Sequence, residues 1–251
     1  MSNPIRNTSL TSSLESPTRA GSVEAARFEH HRTGGGAIPT PALHSIRITP
    51  IGFQIAKRVL VEHHYLHSMP GGTQICLGAL VGDRLLGVLT FGVGPTNAHR
   101  LVDGATPSDC VTLTRLWLSD ELPKNSESRV VGIALRSLRA ATTLKFVLTY
   151  ADPNAEHVGT IYQATNWIYI GRSQAMPLLD LGDGVGRHTR TVAHDFGTHS
   201  LKHFRRHGMD VKRIPQVPKH RYIYFLERSW RDQLKAEQLP YPEKEISNAT
   251  D

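Results

Sequence analysis

One short apolar run, residues 146–150, limits the folds open to this chain more than any other feature. An apolar run of this length predicts a strand that is buried on both faces. Such a strand lies inside a sheet whose faces are covered by helices. Asp152 and Pro153 follow it closely, and Asp-Pro pairs are common in turns. The run therefore predicts an α/β domain with the turn at the carboxyl end of a central strand.

Periodic patterns predict the elements around that strand. Helices are predicted over residues 51–66, 130–142, 159–166, 196–208 and 229–237. Strands are predicted over residues 75–81, 85–93, 111–118, 168–170 and 219–227. Gly82-Asp83-Arg84 between the first two strands predicts a hairpin turn. Up to residue 170 the order is helix, hairpin, strand, helix, strand, helix, strand, which favours a mixed central sheet flanked by helices.

The tails and the two cysteines indicate one domain in a reducing compartment. Residues 1–44 lack apolar periodicity and are predicted to be a disordered tail, with a single domain over 45–243 and a short tail over 244–251. Cys76 and Cys110 lie in apolar runs and suggest buried thiols rather than a disulfide framework. No segment approaches the ~18 apolar residues of a membrane span, and the N-terminus is too polar for a signal peptide. We expect a cytoplasmic protein with no membrane contact.

The positive charge is concentrated in one part of the chain. The formal net charge is +7, yet residues 186–235 hold twelve Lys/Arg and four Asp/Glu, a net of +8, which leaves about −1 for the rest. A basic block on a near-neutral body is typical of a protein that binds a polyanion such as nucleic acid. A solvated basic surface without such a partner is the alternative.

Several short segments resemble the Mom family of phage DNA-modification enzymes. The segments are YADP at 150–153, EHVGTIYQATNW at 156–167, KHRY at 219–222, LPYP at 239–242, HYLH at 64–67 and TRLW at 114–117. The resemblance implies a GNAT-like acyltransferase fold over about residues 45–243. It also implies conversion of the adenine N6 amino group in double-stranded DNA to a carbamoylmethyl-type (acetamido) adduct, which protects the DNA from restriction enzymes. For a phage protein the compartment would be the host cytoplasm.

Five residues are candidates for catalysis. Asp152 at a carboxyl end can accept a proton, or it can simply cap a turn. Tyr162 can act as a hydrogen-bond donor or general acid, or as a core aromatic residue. Arg115 lies in an apolar strand, where it can bind a phosphate or carboxamide oxygen or pair with Asp152. Tyr65 and His64, at the end of the first helix, can stack on a base or shuttle a proton, and Trp167 is a second candidate for stacking on the base.

The donor and any metal cannot be deduced in the same way. GNAT enzymes hold the coenzyme A pyrophosphate on a glycine-rich loop, whereas the equivalent stretch here, residues 122–132, has a single glycine. Asn125, Ser126 and Ser128 are the candidate cofactor-binding residues. Acetyl-CoA or a related small-molecule acyl donor is one expectation, and a metal ion such as iron is another. His63 and His67 have the i,i+4 spacing of a weak metal motif.

The basic block supplies the candidate DNA-binding residues. An insertion over about residues 182–218 is expected to contact the phosphate backbone. The candidates are Lys202, Arg205, Arg206, Lys212, Arg213, Lys219 and Arg221. His199, His203 and His207 recur every four residues among them, which favours a helix on DNA over a metal site. A conventional N-acetyltransferase and a DNA-binding protein without catalysis are the alternative functions.

Overall fold

The computed structural model describes residues 40–155 and 157–243 of the chain. The predicted N-terminal tail lies outside this part except for residues 40–44, and the predicted tail over 244–251 lies outside it entirely. Leu43, at the start of the described chain, packs against the main hydrophobic core. The ordered fold therefore already includes the last residues of the segment predicted to be a tail.

The described residues form ten strands and five α-helices. The strands are β1 (Arg47–Pro50), β2 (Thr73–Val81), β3 (Arg84–Gly92), β4 (Cys110–Leu118), β5 (Phe146–Ala151), β6 (Ile168–Arg172), β7 (Leu178–Asp180), β8 (Arg187–His188), β9 (Lys212–Ile214) and β10 (His220–Phe225). The α-helices are α1 (Phe53–His63), α2 (Ser126–Ala141), α3 (Thr160–Ala164), α4 (Thr189–Phe196) and α5 (Leu201–Arg206).

The main sheet opens between its two central strands. Its order among the described residues is β1-β2-β3-β4-β5-β10-β6, and β4 and β5 are parallel while the other neighbours are antiparallel. The β4–β5 pairing ends at Leu113↔Thr149, although β4 continues to Leu118. A bulge places Thr114 between the paired positions of β3, and its hydroxyl donates to the Thr90 carbonyl at 3.0 Å. The bulge bends β4 away from β5 and leaves a gap at their carboxyl ends.

Helices cover both faces of this sheet, as the buried central strand requires. Helix α2 packs Val131, Ala134 and Leu138 into the main core. Helix α1 packs Ala56 and Leu60 into a second buried cluster, which also contains the Cys76 side chain of β2. Both cysteines are buried and free, as predicted. The predicted α/β architecture is confirmed, with the element order that the family resemblance implied.

A second, smaller unit is inserted between β6 and β10. Its three-stranded sheet has the order β8-β7-β9 among the described residues, and α4 and α5 belong to the same unit. Leu179, Val192, Phe204 and Val211 form a separate buried cluster within it. The insertion has its own core and is therefore more than a loop.

The predicted helix over residues 196–208 is wrong in extent. Gly197 has a positive φ of 69°, which ends α4, and Ser200 then caps a new helix by accepting the His203 N–H. The predicted helix over 229–237 is instead a 3-10 helix, Arg228–Gln233. The short strands β1, β7, β8 and β9 were not predicted, because two to four residues cannot show a period. The described chain contains no helix long and apolar enough to cross a bilayer.

Candidate active site

The gap between β4 and β5 forms a pocket of about 220 Å³. Its walls come from both strands, from the turn after β5, from α3 and from the chain that follows α1. All five residues predicted as catalytic line it: Asp152, Tyr162, Arg115, Tyr65 and His64. The structure thus brings together side chains that are separated by up to 98 residues along the sequence, from His64 to Tyr162.

Arg115 presents a positive charge to this pocket without a carboxylate partner among the described residues. Its Nη1 donates to the Thr114 carbonyl at 2.8 Å, and its buried Nε has no hydrogen-bond partner. Burial lowers the pKa of its guanidinium, which still stays protonated at neutral pH. The alternative that Arg115 pairs with Asp152 is wrong, because Asp152 pairs elsewhere. The guanidinium therefore keeps donors available for a ligand oxygen.

Asp152 is held from two sides at the pocket wall. Its Oδ2 lies 2.8 Å from the Lys219 Nζ, and its Oδ1 accepts the Asn154 N–H at 3.0 Å. Antiparallel pairing of Ala151 with His220 brings Lys219 next to this carboxylate. Asp152 therefore caps its turn and faces the pocket at once. Each carboxylate oxygen accepts more than one hydrogen bond, so both retain the capacity to contact a ligand.

His64 is a buried imidazole whose protonation state is set by its neighbours. Its Nδ1 accepts the Leu66 N–H at 3.1 Å, which assigns the neutral form with the proton on Nε2. Burial first, then the charges of Arg115 and His67, lower its pKa from 6.5 to about 4. At neutral pH His64 is therefore an uncharged hydrogen-bond donor at the pocket.

The His64 environment predicts a pH dependence of stability. The unfolded chain binds a proton at pKa 6.5 and the folded chain only at about 4, so protons favour unfolding between these values. We expect the free energy of unfolding to fall by up to about 3 kcal/mol from this group as the pH drops through that window. In His64→Asn, whose side-chain oxygen can accept the Leu66 N–H, urea titrations from pH 7 to pH 4 should show a smaller fall. An equal fall in both proteins would contradict this assignment.

Aromatic rings form the remaining walls. Tyr65 is 56% exposed and stacks on His64 with 4.5 Å between ring centroids. Tyr162 packs against Trp167 and Tyr222, and burial raises the pKa of its hydroxyl, which stays protonated at neutral pH. Tyr162 is thus part of the core and lines the pocket as well. Trp167 is fully buried, so the prediction that it stacks on a base is wrong, and Tyr65 has the exposed ring.

Tyr150, in the pocket wall, and Lys219, beside it, were not predicted to belong to the site. Tyr150 lines the pocket from β5, where burial raises the pKa of its hydroxyl. Lys219 reaches Asp152, although the sequence suggested only a DNA contact for it. Both lie in segments that carried the family resemblance, which was the available signal. Their side-chain directions depend on the β5–β10 register, which a single sequence does not give.

The predicted cofactor-binding residues line a second cleft that adjoins the pocket. Thr160 and Ile161 line both cavities. The hydroxyls of Ser126 and Ser128 already donate to the carbonyls of Pro123 and Asn125, at 2.6 Å and 3.0 Å. The first turn of α2 offers backbone N–H groups to an anion such as a pyrophosphate, although the Ser126 N–H already donates to the Pro123 carbonyl at 3.2 Å. Lys124 and Glu127 also line the cleft, so it presents both a cation and a carboxylate to a donor.

No cluster of three or more His, Cys, Asp or Glu side chains suited to a metal occurs within residues 40–155 and 157–243. His63 stacks on Trp117 at 4.7 Å, whereas the His67 Nδ1 contacts the Val61 carbonyl at 3.0 Å. The two imidazoles of the proposed metal pair therefore contact different neighbours. The donor set among the described residues therefore does not fit a resident metal.

The predicted DNA-binding residues fall into three groups. Lys202, Arg205 and Arg206 are exposed on α5, and Arg213 is exposed on β9. Lys212 is exposed and pairs with Asp210 at 2.8 Å. Lys219 contacts Asp152, and the Nη2 of Arg221 donates to the Ile170 carbonyl at 2.9 Å. His199 precedes α5, so the proposed stripe of three histidines reduces to His203 and His207, whose rings lie 4.3 Å apart.

Comparison with known sequences identifies a family. The model of the Mom protein family matches residues 45–243, which is most of the chain. Methylcarbamoylase mom of Escherichia phage Mu is 28% identical over 209 residues, covering 78% of this chain and 83% of that protein.

Comparison with solved structures returns acetyltransferases at low identity. An N-acetyltransferase from Staphylococcus aureus is 12% identical with a TM-score of 0.40, covering 72% of this chain and 97% of that one. A spermidine N-acetyltransferase from Vibrio cholerae, in complex with CoA and spermine, is 7% identical with a TM-score of 0.40, covering 73% and 96%. Both TM-scores are below 0.5, so these similarities carry no argument about function.

Proposed function

The chain belongs to the Mom protein family, and from this premise we propose that it modifies the N6 amino group of adenine in double-stranded DNA. The proposed product is a carbamoylmethyl-type adduct that protects the DNA from restriction in the host cytoplasm. The similar phage Mu protein is a methylcarbamoylase by name, which supports a transferase. The donor of the transferred group is a small molecule.

One observation carries the proposal: a pocket at the carboxyl ends of β4 and β5 combines a cation, a carboxylate and neutral donors. Arg115 and Asp152 line it with no direct pairing between them, since Asp152 pairs with Lys219. Chemistry on a base requires the base to leave the helix and enter a pocket. The exposed ring of Tyr65 supplies a surface on which that base can stack.

Each side chain of the pocket has a separate role in the proposed transfer. The N6 lone pair forms a bond to the electrophilic carbon of the donor, and the leaving group departs with its electron pair. Asp152 accepts the proton that N6 loses, since its carboxylate lines the pocket and its oxygens can accept further hydrogen bonds. Arg115 binds the carbonyl oxygen of the group being transferred. Tyr162 and His64, both uncharged at neutral pH, donate hydrogen bonds to the donor.

DNA binding by helix α5 gives a prediction about salt dependence. Lys202, Arg205 and Arg206 are exposed on this short helix. Replacing all three by Ala should weaken DNA binding on every sequence, because phosphate contacts carry no sequence information. The slope of log affinity against log salt should flatten by about one unit for each lost contact. An unchanged slope, measured by fluorescence anisotropy, would exclude α5 from the interface.

Resistance to restriction enzymes tests the proposed function in cells. Plasmid DNA from cells that express the protein should resist enzymes whose sites contain adenine, because a bulky N6 group blocks the major groove edge of the base. Enzymes whose sites contain only G·C pairs should cut the same DNA normally, which controls for general damage. Normal cutting by every adenine-site enzyme would contradict the protective role.

A further inference from the structure

A rigid turn at the mouth of the pocket presents two apolar side chains to solvent. Tyr65 and Leu66 directly follow the buried His64 and are 56% and 44% exposed. Three hydrogen bonds hold the turn: Leu66 N–H to His64 Nδ1 at 3.1 Å, His67 N–H to the His64 carbonyl at 2.7 Å, and His67 Nδ1 to the Val61 carbonyl at 3.0 Å. The exposed side chains therefore stand on a pre-ordered backbone.

Tyr65 and Leu66 have different surroundings. The Tyr65 ring stacks on His64 and lines the pocket. Leu66 does not line the pocket, and it belongs to none of the hydrophobic clusters formed by the described residues. A single exposed leucine is ordinary on a protein surface. Its position beside a base-sized opening, on a turn anchored by a buried imidazole, is what requires an explanation.

We propose that Leu66 is the wedge that enters the DNA base stack when the target adenine leaves it. This inference rests on the proposed function and gives the same site a positioning residue. Proteins that distort DNA commonly insert Leu, Phe, Ile or Met between base steps. The insertion fills the space left by the flipped nucleotide and so lowers the cost of unstacking. Tyr65, one residue earlier, then receives the adenine at the pocket wall.

The charge at the pocket suits this partner. Arg115 lines the pocket without a carboxylate partner among the described residues, and Lys219 pairs with the pocket residue Asp152 at 2.8 Å. A duplex that is held by its phosphates would bring a base step to the pocket mouth, where Leu66 projects. A short apolar projection next to cations fits DNA, whose stacked bases are apolar and whose backbone is anionic.

Permanganate probing tests the wedge without any donor. Permanganate oxidises unstacked thymines, so it reports a thymine left unpaired opposite a flipped adenine on any long duplex. The wild-type protein should create reactive thymines, and Leu66→Ala should reduce their reactivity about tenfold while DNA affinity and melting temperature stay unchanged. Leu66→Met should retain the reactivity, since Met also serves as a wedge. Phe53→Ala is the matched control, because Phe53 is 46% exposed at the opposite end of α1.

A second substrate separates a wedge from a merely structural residue. On DNA whose target adenine faces an abasic site, unstacking costs less, so Leu66→Ala should modify that adenine as fast as wild type in a cell extract that supplies the donor. Undiminished thymine reactivity in Leu66→Ala, no reactivity with wild type, or equal loss of modification on both substrates would overturn the inference. Reactive thymines without any deoxyadenosine adduct would instead overturn the proposed chemistry and leave the wedge intact.

Discussion

Asp152→Asn is expected to reduce adduct formation by ~10²–10⁴-fold, because the amide cannot accept the N6 proton. The shape of the side chain and the hydrogen bond from the Asn154 N–H are retained. The ion pair with Lys219 at 2.8 Å is lost, so a modest fall in melting temperature should accompany the loss of activity. Adduct yield and melting temperature are measured on the same preparation.

A matched control separates the two roles of this carboxylate. Asp103 also pairs with a lysine, Lys235 at 2.6 Å, but does not line the pocket. Asp103→Asn should leave the adduct yield unchanged. Tyr162→Phe should lower the yield less than Asp152→Asn, since only a hydroxyl is removed. Full yield from a destabilised Asp152→Asn protein would restrict Asp152 to a turn cap.

Arg115→Met is expected to abolish modification and to leave the protein at least as stable as wild type. The guanidinium has a buried Nε without a partner and no carboxylate among the described residues, so its burial costs free energy that Met does not. Arg115 orients the carbonyl oxygen of the transferred group, and loss of one such oriented donor typically costs ~10²–10³ in rate. Arg115→Lys should also lose most activity, because a point charge does not replace a planar fork.

Arg129 provides the control for this stability argument. Its Nε is likewise buried without a partner, but it lies on α2 and does not line the pocket. Arg129→Met should therefore keep full adduct yield. A clear drop in the melting temperature of Arg115→Met, with activity preserved, would show that Arg115 is structural.

The sequence was sufficient to predict the order of strands and helices, because apolar periodicity is a local property of the chain. The apolar run that became β5 predicted a central strand, and the Asp152 turn followed from its position. The bulge at Thr114, which opens the gap between β4 and β5, has no comparable sequence signal. The pocket depends on this gap, so its shape could not be derived from the element order alone.

The partners of the site's side chains were harder to predict from the sequence than the places of those residues in the fold. Asp152 was assigned to the correct edge of the sheet, but its partner is Lys219 and not Arg115, because the register of β10 decides which cation it meets. Trp167 was considered as a stacking residue, yet it is fully buried in the main core. Pairings across strands that are distant in sequence are tertiary information, which a single sequence does not contain.

If this pocket transfers a group to the N6 nitrogen of adenine in DNA, the product should be found in the DNA of cells that express the protein. Tandem mass spectrometry of their nucleosides, with Asp152→Asn as the paired sample, detects it. We expect a new deoxyadenosine adduct, substituted on N6, in the wild-type sample and its loss in the variant. Unmodified deoxyadenosine in the wild-type sample, or an adduct that persists undiminished in Asp152→Asn, would contradict the proposal.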